Sequence, residues 1–436
     1  MGKYDELDLN KYNNFTRIGF VKKAAIYTFM GIIFSKLFSY VFRLIVSRLG
    51  AEEYGTFSLG FAIYGFAIIF SMLGLHDGVL RYIPYFQFKG KRQEEKGTIK
   101  TAILGVLACS GIVSLLMFTF AGLFAKFFGN PGLILVIRTF SIALPFMAMS
   151  LVLIAALRSN KRVKEAVMAQ YYADGFTKIM FAAILIYLGF GIFGAVSGFI
   201  FSSIIVLIIA YSFLRKQGKI FEGIFVFKQL LSYSVPLMFS GFLYFIIYYT
   251  DTLMLGYFKD TTQVGIYNIA LPTAGLLFIM PEAIHALFVP LMTKYYVTGK
   301  KKKFESMYRK SFWFNFILNL PVFIALLFFS KQIIQILFGE EYILGSAALS
   351  ILAIGYFFRL TFIPNSKLLE VFKKQNVILY ITIIASIMNI ILNYLLIPGY
   401  GMIGGAIATS TTYIFIGIAT YVFSRDSYHK FVNPET

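Results

Sequence analysis

Gly189-Phe190-Gly191-Ile192-Phe193-Gly194 and Gly399-Tyr400-Gly401-Met402-Ile403-Gly404 are one phrase written twice, 210 residues apart. Each opens an apolar run long enough to cross a membrane. The same offset pairs Glu53-Tyr54-Gly55-Thr56-Phe57 with Gln263-Val264-Gly265-Ile266-Tyr267, each at the start of an earlier run. Motifs that share an offset and a place in the helix order mark an internal repeat. Repeated halves of this kind build many secondary transporters.

Outward from those glycines, apolar segments fall over 22–47, 54–75, 100–124, 133–157, 166–188, 191–214, 229–257, 264–294, 308–330, 343–365, 377–397 and 401–424. Each reaches the ~20 residues that cross a ~30 Å hydrocarbon core. The mean hydropathy is +0.76, with 58% hydrophobic and 14% charged residues, far from the soluble average. Six spans per repeat give both halves the same orientation, about an axis along the membrane normal. The expected fold is an all-α polytopic membrane protein of about 12 transmembrane helices in two parallel six-helix lobes. The N-lobe covers 22–214 and the C-lobe 229–424, with a basic linker at 215–228 and tails at 1–21 and 425–436.

Loop charge sets the expected orientation. The loops around 76–100, 158–165, 215–228, 294–310 and 364–376 carry 24 lysines and arginines. The intervening loops carry four: Arg48, Lys126, Lys259 and Lys331. Basic residues stay on the cytoplasmic side during insertion, so the first set and both tails are expected there, in a multi-pass protein of the cell membrane. The net charge of +20 is largely consumed by this rule, with Lys300 to Lys303 suited to anionic headgroups. Nucleic acid is therefore not an expected partner. Cys109 is the single cysteine, and His76, His285 and His429 are scattered, so neither a disulfide nor a metal cluster is expected. No phosphate loop of the G-x-x-x-x-G-K-[ST] type occurs, and no cofactor is expected. Any work must draw on an ion or substrate gradient.

Leu49-Gly50-Ala51-Glu52-Glu53-Tyr54-Gly55, Leu73-Gly74-Leu75, and Asn389-x3-Asn393-x3-Ile397-Pro398-x-Tyr400-Gly401-x2-Gly404-x-Ala406 resemble the polysaccharide transporter family. These are the O-antigen and oligosaccharide flippases of the multidrug/oligosaccharidyl-lipid/polysaccharide (MOP) exporter superfamily. The resemblance runs along the whole chain. It implies a flippase that moves a polyprenyl-(pyro)phosphate-linked oligosaccharide from the cytoplasmic to the external leaflet by alternating access. Many members have fourteen spans, and this chain has room for twelve.

Eight ionisable residues lie within the spans: Lys36, Arg43, Arg138, Asp174, Lys178, Asp251, Glu282 and Arg359. Each costs roughly 2.5–3.5 kcal/mol at a helix centre, so eight facing lipid would cost on the order of 20 kcal/mol. That exceeds the net stability of an ordinary fold, so most are expected to face water or each other. Lys36 and Arg43 share a face of the first span with Tyr40 between them. With Arg138, Lys178 and Arg359 they are the candidate phosphate ligands, although Arg43 and Arg138 also stand where a side chain can snorkel to headgroups. Asp174 and Lys178 are four apart, as in an intrahelical ion pair; Asp174 and Glu282 are the ion-coupling candidates, for H+ or Na+. Tyr244, Tyr248 and Asp251 fall on one face of the seventh span and, with Tyr40, are the candidate glycan contacts. Pro272, Pro281 and Pro290 interrupt the eighth span, where prolines bend helices and free carbonyls.

The second reading is an ion-coupled multidrug or organic-cation antiporter of the sister branch. Cavity charge separates the two, because cationic drugs need acid and pyrophosphate needs base. By these spans the N-lobe is basic, the C-lobe slightly acidic, and the cavity between them net positive. An enzyme is not expected: the external loops are short, with no carboxylate pair beyond Glu52/Glu53 and Glu340/Glu341. A monomer among membrane lipids is expected.

Overall fold

The computed structural model describes residues 18–216 and 222–432, without the side chains of 18–22, 25, 280, 282, 283, 286 and 287. The N-terminal tail to residue 17, 217–221 of the linker and 433–436 lie outside the described residues. Regular structure among the described residues is wholly helical. Among the described residues nine helices are long and apolar enough to cross a membrane, and two of these are too long to be single. Gln375–Val432 has 58 residues and Val163–Arg215 has 53. At 1.5 Å per residue the longer would reach roughly 87 Å, almost three times the hydrocarbon thickness.

Both fold back at the repeated glycine. Gly191 sits at φ 51°, ψ −133°, and Gly401 at φ 56°, ψ −135°, a region that a residue with a Cβ avoids. Three residues on, Gly194 and Gly404 let the hairpin arms touch. A Cβ on Gly404 would stand 2.5 Å from the Leu396 carbonyl oxygen, and one on Gly194 2.8 Å from Leu185 Cβ. The repeat read from the sequence is thus a repeat of backbone conformation.

The remaining span is broken rather than missing. Span 8 runs as Thr261–Ala274, a 3-10 turn at Gly275–Phe278, and Ile279–Val297. Pro272 has no N–H for the Asn268 carbonyl, and the Tyr54 hydroxyl of span 2 donates to that carbonyl instead, at 3.4 Å. Span 4 is treated alike: Pro145 frees the Ser141 carbonyl, which accepts from Ser114 Oγ of span 3 at 2.6 Å. With the two hairpins opened and span 8 counted, the twelve expected spans are all present.

Two stretches read as loops are helical, Leu75–Phe88 and Ile363–Val371. Their charges hid a helical period. Leu75, Val79, Ile83 and Phe86 are buried on one stripe of the first, and the second starts at a proline, which suits a helix's first turn.

The lobes meet differently at their two ends. At the charge-poor end, Gly55 of span 2 and Gly265 of span 8 touch each other across the interface. A Cβ on Gly55 would lie 1.7 Å from the Thr261 oxygen, and one on Gly265 1.9 Å from the Ala51 oxygen. The Ala51 amide donates to Glu341 Oε1 at 2.8 Å, and the Tyr342 hydroxyl to the Ser47 carbonyl at 2.8 Å. At the basic end, residues 222–226 are fastened to span 3. The Ile224 amide donates to the Gln93 carbonyl at 3.2 Å, the Val226 amide to Thr101 Oγ1 at 3.2 Å, and Lys96 pairs with Glu222 at 2.6 Å. Between these ends spans 2 and 7 stay in contact, Phe66 packing on Phe242 and Phe245, and a cavity opens beside them.

Candidate functional site

The gap between the lobes is a cavity of about 780 Å³, walled by spans 2, 7, 10, 11 and 12 and by Lys36 of span 1. Span 2 turns Gly65 to it, where a Cβ would meet Phe245 at 3.5 Å and Tyr249 at 3.7 Å, ordinary contact distances. The break in span 8 places Gly275 and Phe278 on the wall, and the unexpected helix after span 10 adds Ser366, Lys367 and Glu370. Lys367 Nζ bonds Glu370 Oε1 at 2.7 Å, so that pair is locally neutral. Arg359 has only a long contact to Ser366 Oγ, at 3.4 Å, and no carboxylate partner among the described residues. Three basic and one acidic described side chains therefore line the space.

Aromatic rings line the same space as the charges. Tyr244 and Tyr248 project into the cavity and are exposed there. Tyr356 and Tyr413 meet edge to face at 4.9 Å, and Phe245 stacks on Tyr249 at 4.9 Å. Such a surface suits sugar rings, whose apolar faces stack while their hydroxyls bond phenols.

A second space of about 110 Å³ lies further from the basic end, between spans 1, 2, 5, 7 and 8. It holds Arg43, Asp174 and Lys178. Lys178 Nζ pairs with Asp174 Oδ2 at 2.8 Å, while Ser202 Oγ donates to Asp174 Oδ1 at 2.7 Å. A π-helical turn at Met168–Ala173 precedes Asp174; such bulges re-aim side chains and frequent functional sites.

Three expected contacts are not where the sequence put them. Asp251 shares a helical stripe with Tyr244 and Tyr248, but at its depth span 7 has passed into the C-lobe, and the carboxylate is fully buried. It accepts hydrogen bonds from the Tyr267 hydroxyl, from Thr409 Oγ1 at 2.6 Å and from Asn393 Nδ2 at 2.7 Å. It is no glycan contact. Arg138 faces outward from span 4, its guanidinium 5.0 Å from the Phe118 ring, because its neighbours Val136, Ile137 and Phe140 fill the N-lobe core. Tyr40 bonds Thr273 Oγ1 at 3.1 Å and packs on Phe338, joining span 1 to span 8 instead of lining either space. The side chain of Glu282 lies outside the described residues. Lys36 and Arg43, expected together, serve different cavities.

Residues the sequence did not single out are Tyr356, Tyr413, Tyr249, Lys367 and Glu370. Tyr356 stands one turn before Arg359, a usable signal. Lys367 had been counted with the loop charges, which concealed it.

A family model described as polysaccharide biosynthesis protein matches residues 45–347. An uncharacterized membrane protein of Methanocaldococcus jannaschii is 28% identical over 430 residues, covering 91% of this chain and 82% of its own. A Shigella flexneri protein named as an O-antigen transporter is 24% identical, covering 83% and 87%. Among solved structures, an inward-facing multidrug resistance transporter of the MOP superfamily superimposes with a TM-score of 0.80 at 17% identity, over 92% of this chain and 96% of that one. The lipid II flippase MurJ, in an inward closed conformation, gives 0.72 at 17% identity over 93% and 90%. The chain is a multi-pass membrane protein with this two-lobed fold.

Proposed function

Because the chain belongs to the polysaccharide biosynthesis protein family, we propose that it is a flippase for a polyprenyl-(pyro)phosphate-linked oligosaccharide, working by alternating access rather than by catalysis. The observation that carries this reading is the make-up of the central cavity. Its charges are mainly basic, with Arg359 lacking a carboxylate partner among the described residues, and its lining is rich in tyrosine. A guanidinium suits a phosphate, which it can grip with two parallel bonds, and the tyrosines suit the glycan. The basic loops, and hence both ends of the chain, are cytoplasmic, in the cell membrane. In that orientation the cavity loads from the cytoplasmic leaflet, and the Gly55–Gly265 seam closes the outside.

A cation antiporter would require an acid on the cavity wall. Among the described acids within the spans, the one without a base beside it is Asp251, sealed inside the C-lobe among hydroxyls and amides. Burying a carboxylate without an opposite charge is expensive, so Asp251 is suited to hold a proton or Na+, as the coupling site. Asp174 fits that role less well, because Lys178 already neutralises it.

Reconstitution tests the reading. In proteoliposomes, the protein is expected to move a polyprenyl-pyrophosphate-linked oligosaccharide between leaflets, and Arg359→Glu to stop it. Correctly inserted wild-type protein that moves none would refute it. In a Cys109→Ser background, cysteines at 161 and 302 should label only from the cytoplasm, and those at 128 and 260 only from outside.

A further inference from the structure

The small space around Arg43 is separate from the cavity just assigned to the substrate. It has its own polar lining. Ser35, Ser39 and Arg43 follow one another at i, i+4 and i+8 along span 1, and all three face it. Lys178 reaches it already neutralised by Asp174 at 2.8 Å, its ammonium 4.4 Å from the Phe199 ring. Arg43 is left as its uncompensated charge, half-buried and with no ion pair among the described residues. An arginine cannot shed its proton to relieve that position, and at membrane depth a charge without a partner is costly. The pocket is thus short of one negative charge. Its volume, about 110 Å³ against about 780 Å³ for the central cavity, suits a phosphate group and excludes an oligosaccharide.

Position gives the pocket its meaning. Arg43 stands seven residues beyond Lys36 on span 1, roughly 10 Å further from the basic end. The two spaces share Phe61, Tyr248 and Tyr249. Phe61 belongs to the N-lobe and Tyr249 to the C-lobe, and their rings meet across the interface at 6.4 Å. The partition between the spaces therefore draws rings from both lobes, Phe61 from one and Tyr248 and Tyr249 from the other, and a rocking motion of the lobes would part it.

We propose that the Arg43 pocket is a second phosphate station. The substrate's phosphate first binds beside Lys36 and Arg359, and passes to Arg43 when the lobes rock and the Phe61–Tyr249 contact opens. The glycan stays on the tyrosine wall until the outer seam releases it. No covalent bond changes. The inference rests on the flippase reading and adds an order of events to it.

Two readouts on one set of purified variants test it: loading, as the affinity for polyprenyl-pyrophosphate-linked oligosaccharide in detergent, and flipping, as its rate in proteoliposomes. Arg359→Gln should weaken loading about tenfold. Arg43→Gln should leave loading within about threefold of wild type and slow flipping at least tenfold, with Arg43→Lys recovering part of the rate. Ser39→Ala, a gentler change in the same pocket, should slow flipping two- to fivefold and leave loading alone. Equal loss of loading in Arg43→Gln and Arg359→Gln would mean one shared site and overturn the proposal. Wild-type flipping by Arg43→Gln would overturn it too. Wild-type protein that neither loads nor flips would instead remove the flippase reading on which it stands. Inorganic phosphate separates the two sources of the anion. If the station serves the substrate, free phosphate competes and slows wild-type flipping; faster flipping with added phosphate would make it a site for a soluble anion and contradict the assignment.

Discussion

The two lobes share their turns, their glycines and their helix order, yet at the offset that aligns them no membrane charge of one recurs in the other. Lys36, Arg43, Asp174 and Lys178 of the N-lobe correspond in sequence to Ile246, Leu253, Ile384 and Met388 of the C-lobe. In the other direction, Asp251 and Arg359 correspond to Val41 and Met149. What is repeated is what the backbone needs: Gly191 and Gly401 in the same left-handed turn, and Gly55 and Gly265 in mutual contact. The unrepeated residues carry the chemistry. The N-lobe turns cations toward the lobe interface, whereas the C-lobe encloses a carboxylate among hydroxyls and amides and keeps one arginine for the cavity. A symmetric frame thus holds an asymmetric set of charges.

Reversing the sign of the grip should have the largest effect. Arg359→Glu places a carboxylate where the phosphate is to bind, and export should fall about 100-fold or more, as expected when a charge-assisted contact turns repulsive. An export assay with a check on membrane level decides it; near-normal export would remove Arg359 from the proposed anion path.

Next comes the C-lobe cage. Asp251→Ala leaves Tyr267, Thr409 and Asn393 without their shared acceptor, at about 1–3 kcal/mol for each unmade bond. The melting temperature should drop by several degrees. Asp251→Asn should fold, transport about tenfold more slowly, and lose any dependence of its melting temperature on Na+ or pH. An unchanged ion response in Asp251→Asn would reassign the coupling site.

Arg138→Gln should change export less than twofold, because its guanidinium lies over Phe118 on the outer surface. A tenfold loss would return it to the anion path.

These contrasts show how far the sequence could be read. The repeat, the twelve spans and the two lobes were legible, because each rests on a period or an offset that the membrane enforces. The Asp174–Lys178 pair was legible as well, since both residues sit on one helix. Contacts between helices were not. Tyr244, Tyr248 and Asp251 share a stripe on span 7, yet that stripe passes from the cavity into the C-lobe within two turns, and helical spacing alone carries no record of the crossing. Lys36 and Arg43 likewise share a face while the Phe61–Tyr249 contact divides their surroundings. Leu75–Phe88 was obscured by its charges, although its buried stripe has the ordinary helical period.

The central claim is that the cavity selects an anionic lipid-linked glycan, and binding to purified protein tests it most directly. Affinity for a polyprenyl-pyrophosphate-linked oligosaccharide should be measured against rising salt, beside a cationic dye such as ethidium. A positive site in a low-dielectric cleft draws anions and repels cations, so the glycolipid should bind, more weakly as salt rises, and the dye should not bind. Dye binding that Asp251→Asn abolishes, with no affinity for the glycolipid, would contradict the account.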